Sequence, residues 1–188
     1  MEKDRDWERL RALLIERSYE RRRVILTSGK ESDFYVDGKQ TSLDPEGAYL
    51  IGRLFLRLLR SSSPSVEAVG GMTLGADPLV TAVALTSFVE GHPLPAFIIR
   101  KEPKGHGTGQ WIEGKKNLSG GSLVALVEDV VTTGGTTLRA IERAQEEGLH
   151  VVRVLALVDR QEGGAGRIAQ AGFKLEALYT RADLETGD

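Results

Sequence analysis

From Asp4 to about Arg17, apolar residues recur at every third or fourth position. This places Trp7, Leu10, Leu13 and Leu14 on one face and predicts an amphipathic first helix. Two short strands are expected next, Val24–Leu26 and Phe34–Val36, separated by the polar turn TSGKESD. The Arg21–Arg23 run before them reads as a solvated face, with a binding role as the second reading. Asp44-Pro45 then opens a second amphipathic helix, because Asp can cap and Pro fits the first helical position. That helix carries Tyr49, Leu50, Leu54, Leu58 and Leu59 and stops in the turn Ser61–Ser65.

Beyond Ser65 the pattern changes. Short apolar runs at Val66–Val69, Ala96–Ile99, Leu123–Val127, Val151–Val158 and Phe173–Tyr179 alternate with helical segments at Leu79–Phe88, Thr136–Glu147 and Arg167–Ala171. The runs lack strict alternation, as expected for strands buried on both faces. The fold class is therefore α/β, a parallel sheet flanked by helices. Lys101 to Gly121 interrupts the pattern with about twenty residues that show no period, and a loop that long inside a compact domain is usually functional or disordered.

The length, 188 residues, suits one domain with its own core. Net charge is -2 and the isoelectric point near 6.0, so no global basic field points to nucleic acid or an acidic membrane. The absence of cysteine excludes a disulfide framework and a thiolate zinc site and fits a reducing cytoplasm. The charged start MEKDRDWERL has no apolar signal region, and no apolar run approaches membrane-spanning length.

The chemistry concentrates in SLVALVEDVVTTGGTT, Ser122 to Thr137. An apolar run ends at two carboxylates, Glu128 and Asp129, and a loop of threonines and glycines leads into a helix. Backbone N–H groups and the helix dipole attract an anion there, and Gly134 and Gly135 let the backbone approach it. Carboxylates repel phosphate but accept hydrogen bonds from a diol. Diol acceptors followed by an anion cradle have the layout of a ribose 5-phosphate site. The plain alternative is an acidic turn before a Thr-capped helix. Neither the triphosphate loop G-x-x-x-x-G-K-[ST] nor a complete dinucleotide fingerprint occurs. The aperiodic segment RKEPKGHGTGQWIEGKK concentrates Arg100, Lys101, Lys104 and His106 among glycines. It reads either as a basic lid for a polyanion or as a surface loop with incidental charge. His92 and His150 read as turn or surface residues.

EDVVTTGGTT resembles the phosphoribosyl pyrophosphate (PRPP) binding motif of the type I phosphoribosyltransferases. Three further stretches, and the basic loop itself, are similar to the orotate-using members of that family. TSGKESDFYVD resembles their base-side segment, R-K-E-x-K-x-H-G their catalytic loop, GGMTLGADP their pyrophosphate-side turn, and VDRQEGG (Val158 to Gly164) their substrate-arginine turn. The resemblance spans about Val24 to Leu184. It implies one domain over residues 1–188, with a small N-terminal hood (about 1–40, plus the C-terminal end) and a flexible catalytic loop at about 101–121.

By position, the resemblance implies that Glu128 and Asp129 hold the ribose hydroxyls and that Val130, Val131, Thr132, Thr133, Gly134, Gly135 and Thr136 form the PRPP loop. Arg100, Lys101, Lys104 and His106 would bind pyrophosphate, with Lys104, His106 and Asp129 nearest the chemistry. Arg160, Thr132, Phe34 and Tyr35 would face orotate. A planar guanidinium also suits a carboxylate on physical grounds. The implied cofactor is Mg2+ carried by PRPP, with Asp129 the candidate residue beside it and no firm protein ligand. The implied assembly is a homodimer sharing loop residues. Thr27 stands where many members have Lys, and Met72-Thr73-Leu74 lacks another, so Lys30 or Lys39 is a candidate replacement. A purine-using transferase and a PRPP-binding regulator without catalysis are the competing readings. Arg160 argues against the first, and the retained basic loop and lack of a DNA-binding module argue against the second.

Overall fold

A computed structural model describes residues 3–25, 31–61, 63–103 and 110–185. Helix α1 (Arg5–Arg17) begins at Asp4, whose side chain accepts from the Trp7 N–H, and buries Trp7, Leu10, Leu13 and Leu14 as expected. Strands β1 (Tyr19–Ile25) and β2 (Glu31–Val36) form an antiparallel pair. Strand β1 begins earlier than its apolar residues suggested and takes in Arg21–Arg23, whose side chains stay exposed. Backbone pairing, not apolar alternation, defines a solvated hairpin strand. A short helix α2 (Gly38–Ser42), capped by Asp37, was not expected. Helix α3 (Pro45–Arg60) starts as predicted, with Asp44 accepting from the N–H groups of Glu46 and Gly47, both at 3.0 Å. Its Tyr49 lies outside the apolar stripe and is exposed, whereas Ile51, Phe55 and Leu56 join the core.

The sheet contains β3 (Ala68–Met72), β4 (Ala96–Ile99), β5 (Ile112–Glu113), β6 (Leu123–Val131), β7 (His150–Asp159) and β8 (Leu175–Thr180). Their spatial order is β5-β4-β3-β6-β7-β8, and every pair is parallel except β4–β5. Helices α4 (Asp77–Val89), α5 (Gly135–Glu146), α6 (Gly164–Gln170) and α7 (Arg181–Glu185) complete the chain. One apolar cluster joins α1, α3 and α4 to one face of the sheet, and a second lies under α5 and α6 on the other. The stretch expected to lack structure through Gly121 is corrected: β5 and a 3-10 turn at Lys115–Asn117 occupy its second half. Two residues are too few to show a period, and β5 is fixed by backbone bonds to β4.

The chain ends are tied together beside the sheet. Trp7 Nε1 donates to the Leu178 carbonyl at 3.0 Å, and the Tyr179 hydroxyl donates to the Trp7 carbonyl at 2.8 Å. Arg181 bridges to Asp33 at 2.7 Å, which links α7 to the hairpin. Strand order is what positions the site. From β3 the chain steps outward to β4, then returns to lay β6 on the opposite side of β3. The crevice beyond the carboxyl ends of β3 and β6 is thus a topological switch point, where open parallel sheets bind ligands.

Candidate active site

The acid pair lies at that crevice, with one correction. Strand β6 does not stop at Val127 but pairs with β7 through Val131, so Glu128 and Asp129 sit within the strand. Alternation then turns them to different surroundings. Glu128 is buried, while Asp129 is half-buried. Burial first, then the neighbouring Asp129 charge, pushes the Glu128 carboxyl well above the usual range. Asp129 Oδ1 accepts from the Val130 N–H at 2.8 Å. Its carboxylate fits against the turn after β3, where a Cβ on Gly75 would stand 2.5 Å from Oδ1. Glycine is required there by space, not by backbone angle.

The loop Thr132–Thr136 turns β6 into α5. Gly134 takes φ +75° at the helix start, and no side chain caps the helix, leaving its N–H groups for a ligand. The VDRQEGG stretch braces this loop. Arg160 N–H donates to the Val131 carbonyl and Gly164 N–H to the Thr132 carbonyl, each at 3.0 Å. Two cations not singled out from the sequence lie near the helix start: a Cβ on Gly135 would be 3.5 Å from Arg167 Nη1 and 3.9 Å from Arg139 Nη1. Nothing in their spacing marks them, because they come from different helices.

Arg160 is buried. Its Nη2 donates to the Phe34 carbonyl at 2.7 Å and lies 2.9 Å from Glu162 Oε1. Phe34 is fully buried, with its ring packed on Tyr19, so its part is to hold Arg160 through the backbone and not to present a lining surface. Tyr35 is half-buried, and the Arg22 guanidinium lies 4.0 Å from its ring centre. The hairpin therefore closes the β7 side of the crevice.

On the other side, the turn after β3 is pinned by Thr73 Oγ1 donating to Asp77 Oδ2 at 2.8 Å. A groove runs past Thr73 and Asp77 to Arg100, Lys101, Glu102 and Glu113. Arg100 pairs with Glu113 at 3.0 Å, and exposed Lys101 is near enough to act on Glu128 electrostatically. Lys104 and His106 lie outside the described residues, as do Thr27 and Lys30. His92 and His150 are exposed, as read from the sequence. Of the two lysines named as candidate replacements, Lys39 reaches toward Asp129 from α2. The arrangement offers diol acceptors, an anion cradle, a buried guanidinium and a groove of mixed charge that includes Arg100 and Lys101 along one crevice.

A phosphoribosyl transferase domain is recognised across residues 50–173. An orotate phosphoribosyltransferase of Sorangium cellulosum (strain So ce56) is 52% identical over 177 residues, 94% of this chain and 92% of that protein. The chain belongs to the orotate phosphoribosyltransferase family. Solved structures of the family agree. The orotate phosphoribosyltransferase of Mycobacterium tuberculosis H37Rv in complex with Fe(III) dicitrate superposes with a TM-score of 0.81 at 38% identity, covering 95% of this chain and 98% of that one. The same enzyme in complex with PRPP gives 0.78 at 35% identity, over 96% and 99%. The family's α/β architecture, a mostly parallel sheet between helices, is thus the fold of this chain. The matched span takes in β3 and its turn, the groove with Arg100 and Lys101, the acid pair, the cradle and Arg160.

Proposed function

We infer that the chain transfers the ribose 5-phosphate group of PRPP to orotate, giving orotidine 5'-monophosphate and pyrophosphate, a step of pyrimidine nucleotide synthesis. A ring nitrogen of orotate forms the new bond to C1 of the ribose as the C1–oxygen bond to pyrophosphate breaks. Positive charge then develops on the ribose and negative charge on the leaving group. The protein's task is to hold the reactants in line and stabilise separated charge. Glu128 and Asp129 would take the ribose hydroxyls, the Thr132–Thr136 loop the 5-phosphate, and Arg100 and Lys101, with Lys104 and His106, the pyrophosphate.

Mg2+ belongs with the substrate in this scheme. Among the described residues no group of three or more His, Cys, Asp or Glu side chains is placed to hold a metal. Asp129 already accepts a backbone N–H, and Glu128 is buried. An ion that keeps its waters and takes few carboxylates fits PRPP oxygens better, with Asp129 at most beside it. When bound it would neutralise charge on the leaving pyrophosphate.

The observation that carries the orotate assignment is Arg160. Its backbone is bonded to Val131, between the acids and the cradle, and its guanidinium is held at the hairpin that closes the crevice. A carboxylated base has a partner there, and a purine does not. The apolar side chains of Leu85, Phe88 and Val89, exposed on α4, support assembly as a homodimer, the arrangement in which loop residues would be shared. No helix among the described residues is long and apolar enough to cross a membrane. The lack of cysteine supports a cytoplasmic setting. The test is loss of orotate with PRPP and Mg2+, with adenine, hypoxanthine and uracil as competing acceptors. Orotate alone should be consumed; turnover of a purine with orotate untouched would overturn the assignment.

A further inference from the structure

We propose that Lys39 is a positioning residue for this reaction, its ammonium holding the Asp129 carboxylate in the orientation that receives the ribose hydroxyls. The proposal rests on the transferase reading above and extends it to a residue outside the acid pair and the loop that follows. Lys39 lies in the first turn of α2, whose capping residue, Asp37, accepts from the Lys39 N–H at 3.2 Å. The same carboxylate oxygen of Asp37 lies 2.7 Å from Lys39 Nζ, which limits where the ammonium can go. Nζ is then 3.7 Å from Asp129 Oδ2. The start of α2 is pressed onto β6, since a Cβ on Gly38 would stand 3.3 Å from Asp129 Cβ.

Asp129 is thereby held from three directions. The Val130 N–H occupies Oδ1, the turn at Gly75 blocks rotation on one side, and Lys39 attracts Oδ2 from the other. At 3.7 Å the pair is an electrostatic contact longer than a hydrogen bond, so Oδ2 keeps room for a hydroxyl donor. The opposing stretch Gly70 to Pro78, from the end of β3 through its turn into α4, contains no Lys or Arg. Among the described residues, the other charged or titratable groups around the pair are Glu128 beside Asp129, Lys101 acting on Glu128, and Tyr35 acting on Lys39. Lys39's side chain is 44% exposed. An ion pair that open contributes little to folding, so its effect should appear in ligand binding.

The test uses the full chain and its Lys39→Met and Lys39→Arg variants. The readouts are melting temperature, KM for PRPP, KM for orotate, and calorimetric affinity for ribose 5-phosphate, which carries neither pyrophosphate nor base. For Lys39→Met we expect ribose 5-phosphate affinity to fall and KM for PRPP to rise, each by about tenfold. KM for orotate and the melting temperature should hold, and Lys39→Arg should restore most of the loss. In an Asp129→Asn background, Lys39→Met should add nothing, since the two act as a unit. Unchanged ribose 5-phosphate affinity would overturn the proposal. So would a full additional loss on top of Asp129→Asn, which would mean that Lys39 touches the ligand itself. A fall in melting temperature with all ligands weakened alike would reduce Lys39 to a structural part. Failure of the native chain to consume orotate would sink the transferase reading separately, because ribose 5-phosphate binding is measured without orotate.

Discussion

Substituting Gly75→Ala should damage the acid pair while sparing the fold. The added Cβ would stand 2.5 Å from Asp129 Oδ1, 2.7 Å from Cγ and 2.9 Å from Oδ2. These atoms are the end of a side chain, so the carboxylate can swing away and the backbone can stay. Oδ1 has to retreat from 2.5 Å to at least the 3.4 Å of ordinary contact, which takes it off the Val130 N–H. A hydrogen bond to a charged group is worth about 1.5–3 kcal/mol, or roughly 10- to 150-fold in an equilibrium constant. KM for PRPP should therefore rise by roughly that factor. KM for orotate at saturating PRPP should change by less than about twofold, because the hairpin side of the crevice is untouched. Steady-state kinetics with a thermal melt decides the matter. An unchanged KM for PRPP in a normally folded variant would refute the role assigned to Asp129. A large drop in melting temperature would show that the turn, and not the carboxylate, gave way.

Glu128→Gln should change the pH dependence of stability. A carboxyl whose folded pKa is raised favours folding fully below its unfolded value, and that contribution is lost as pH rises through the folded value. Each unit of elevation is worth about 1.4 kcal/mol. The Gln variant's advantage in melting temperature should widen as pH rises above the ordinary glutamate range; a constant offset in calorimetry would contradict it. Arg160→Lys keeps the charge but loses the planar fork. It should raise KM for orotate roughly tenfold or more with KM for PRPP nearly unchanged, and equal effects on both would count against the carboxylate pairing. Gly134→Ala places a Cβ at φ +75° and 3.1 Å from the Gly164 carbonyl oxygen. It should cost about 1–2 kcal/mol in stability, roughly 2–8 °C in melting temperature, together with PRPP affinity.

Long periodic elements and their caps were legible in the sequence. Asp4, Asp44 and Pro45 marked helix starts that the structure keeps, and Ala96–Ile99 was found to the residue. Short elements such as α2 and β5 were not, because each has too few residues for a period and is held by tertiary contacts. The continuation of β6 through its acids was missed for a related reason. Two carboxylates read as an end when only composition is visible, whereas pairing with β7 carries the strand to Val131. Within the site, Glu128, Asp129 and the loop stood out because their spacing is local. Arg139 and Arg167 did not, because helix packing brings them in from elsewhere in the chain, and Lys39 was named only beside Lys30 because its approach to Asp129 is set by tertiary packing. Phe34 looked like a lining residue by position, but hairpin packing turns its ring into the core.

The most direct measurement of how this site works is a crystal structure of the chain with orotidine 5'-monophosphate. The ribose hydroxyls should lie within hydrogen-bond distance of Glu128 and Asp129, the phosphate on the backbone N–H groups of the Thr132–Thr136 loop, and the base carboxylate on Arg160. A nucleotide bound with that loop empty and those three side chains uninvolved would contradict the central claim.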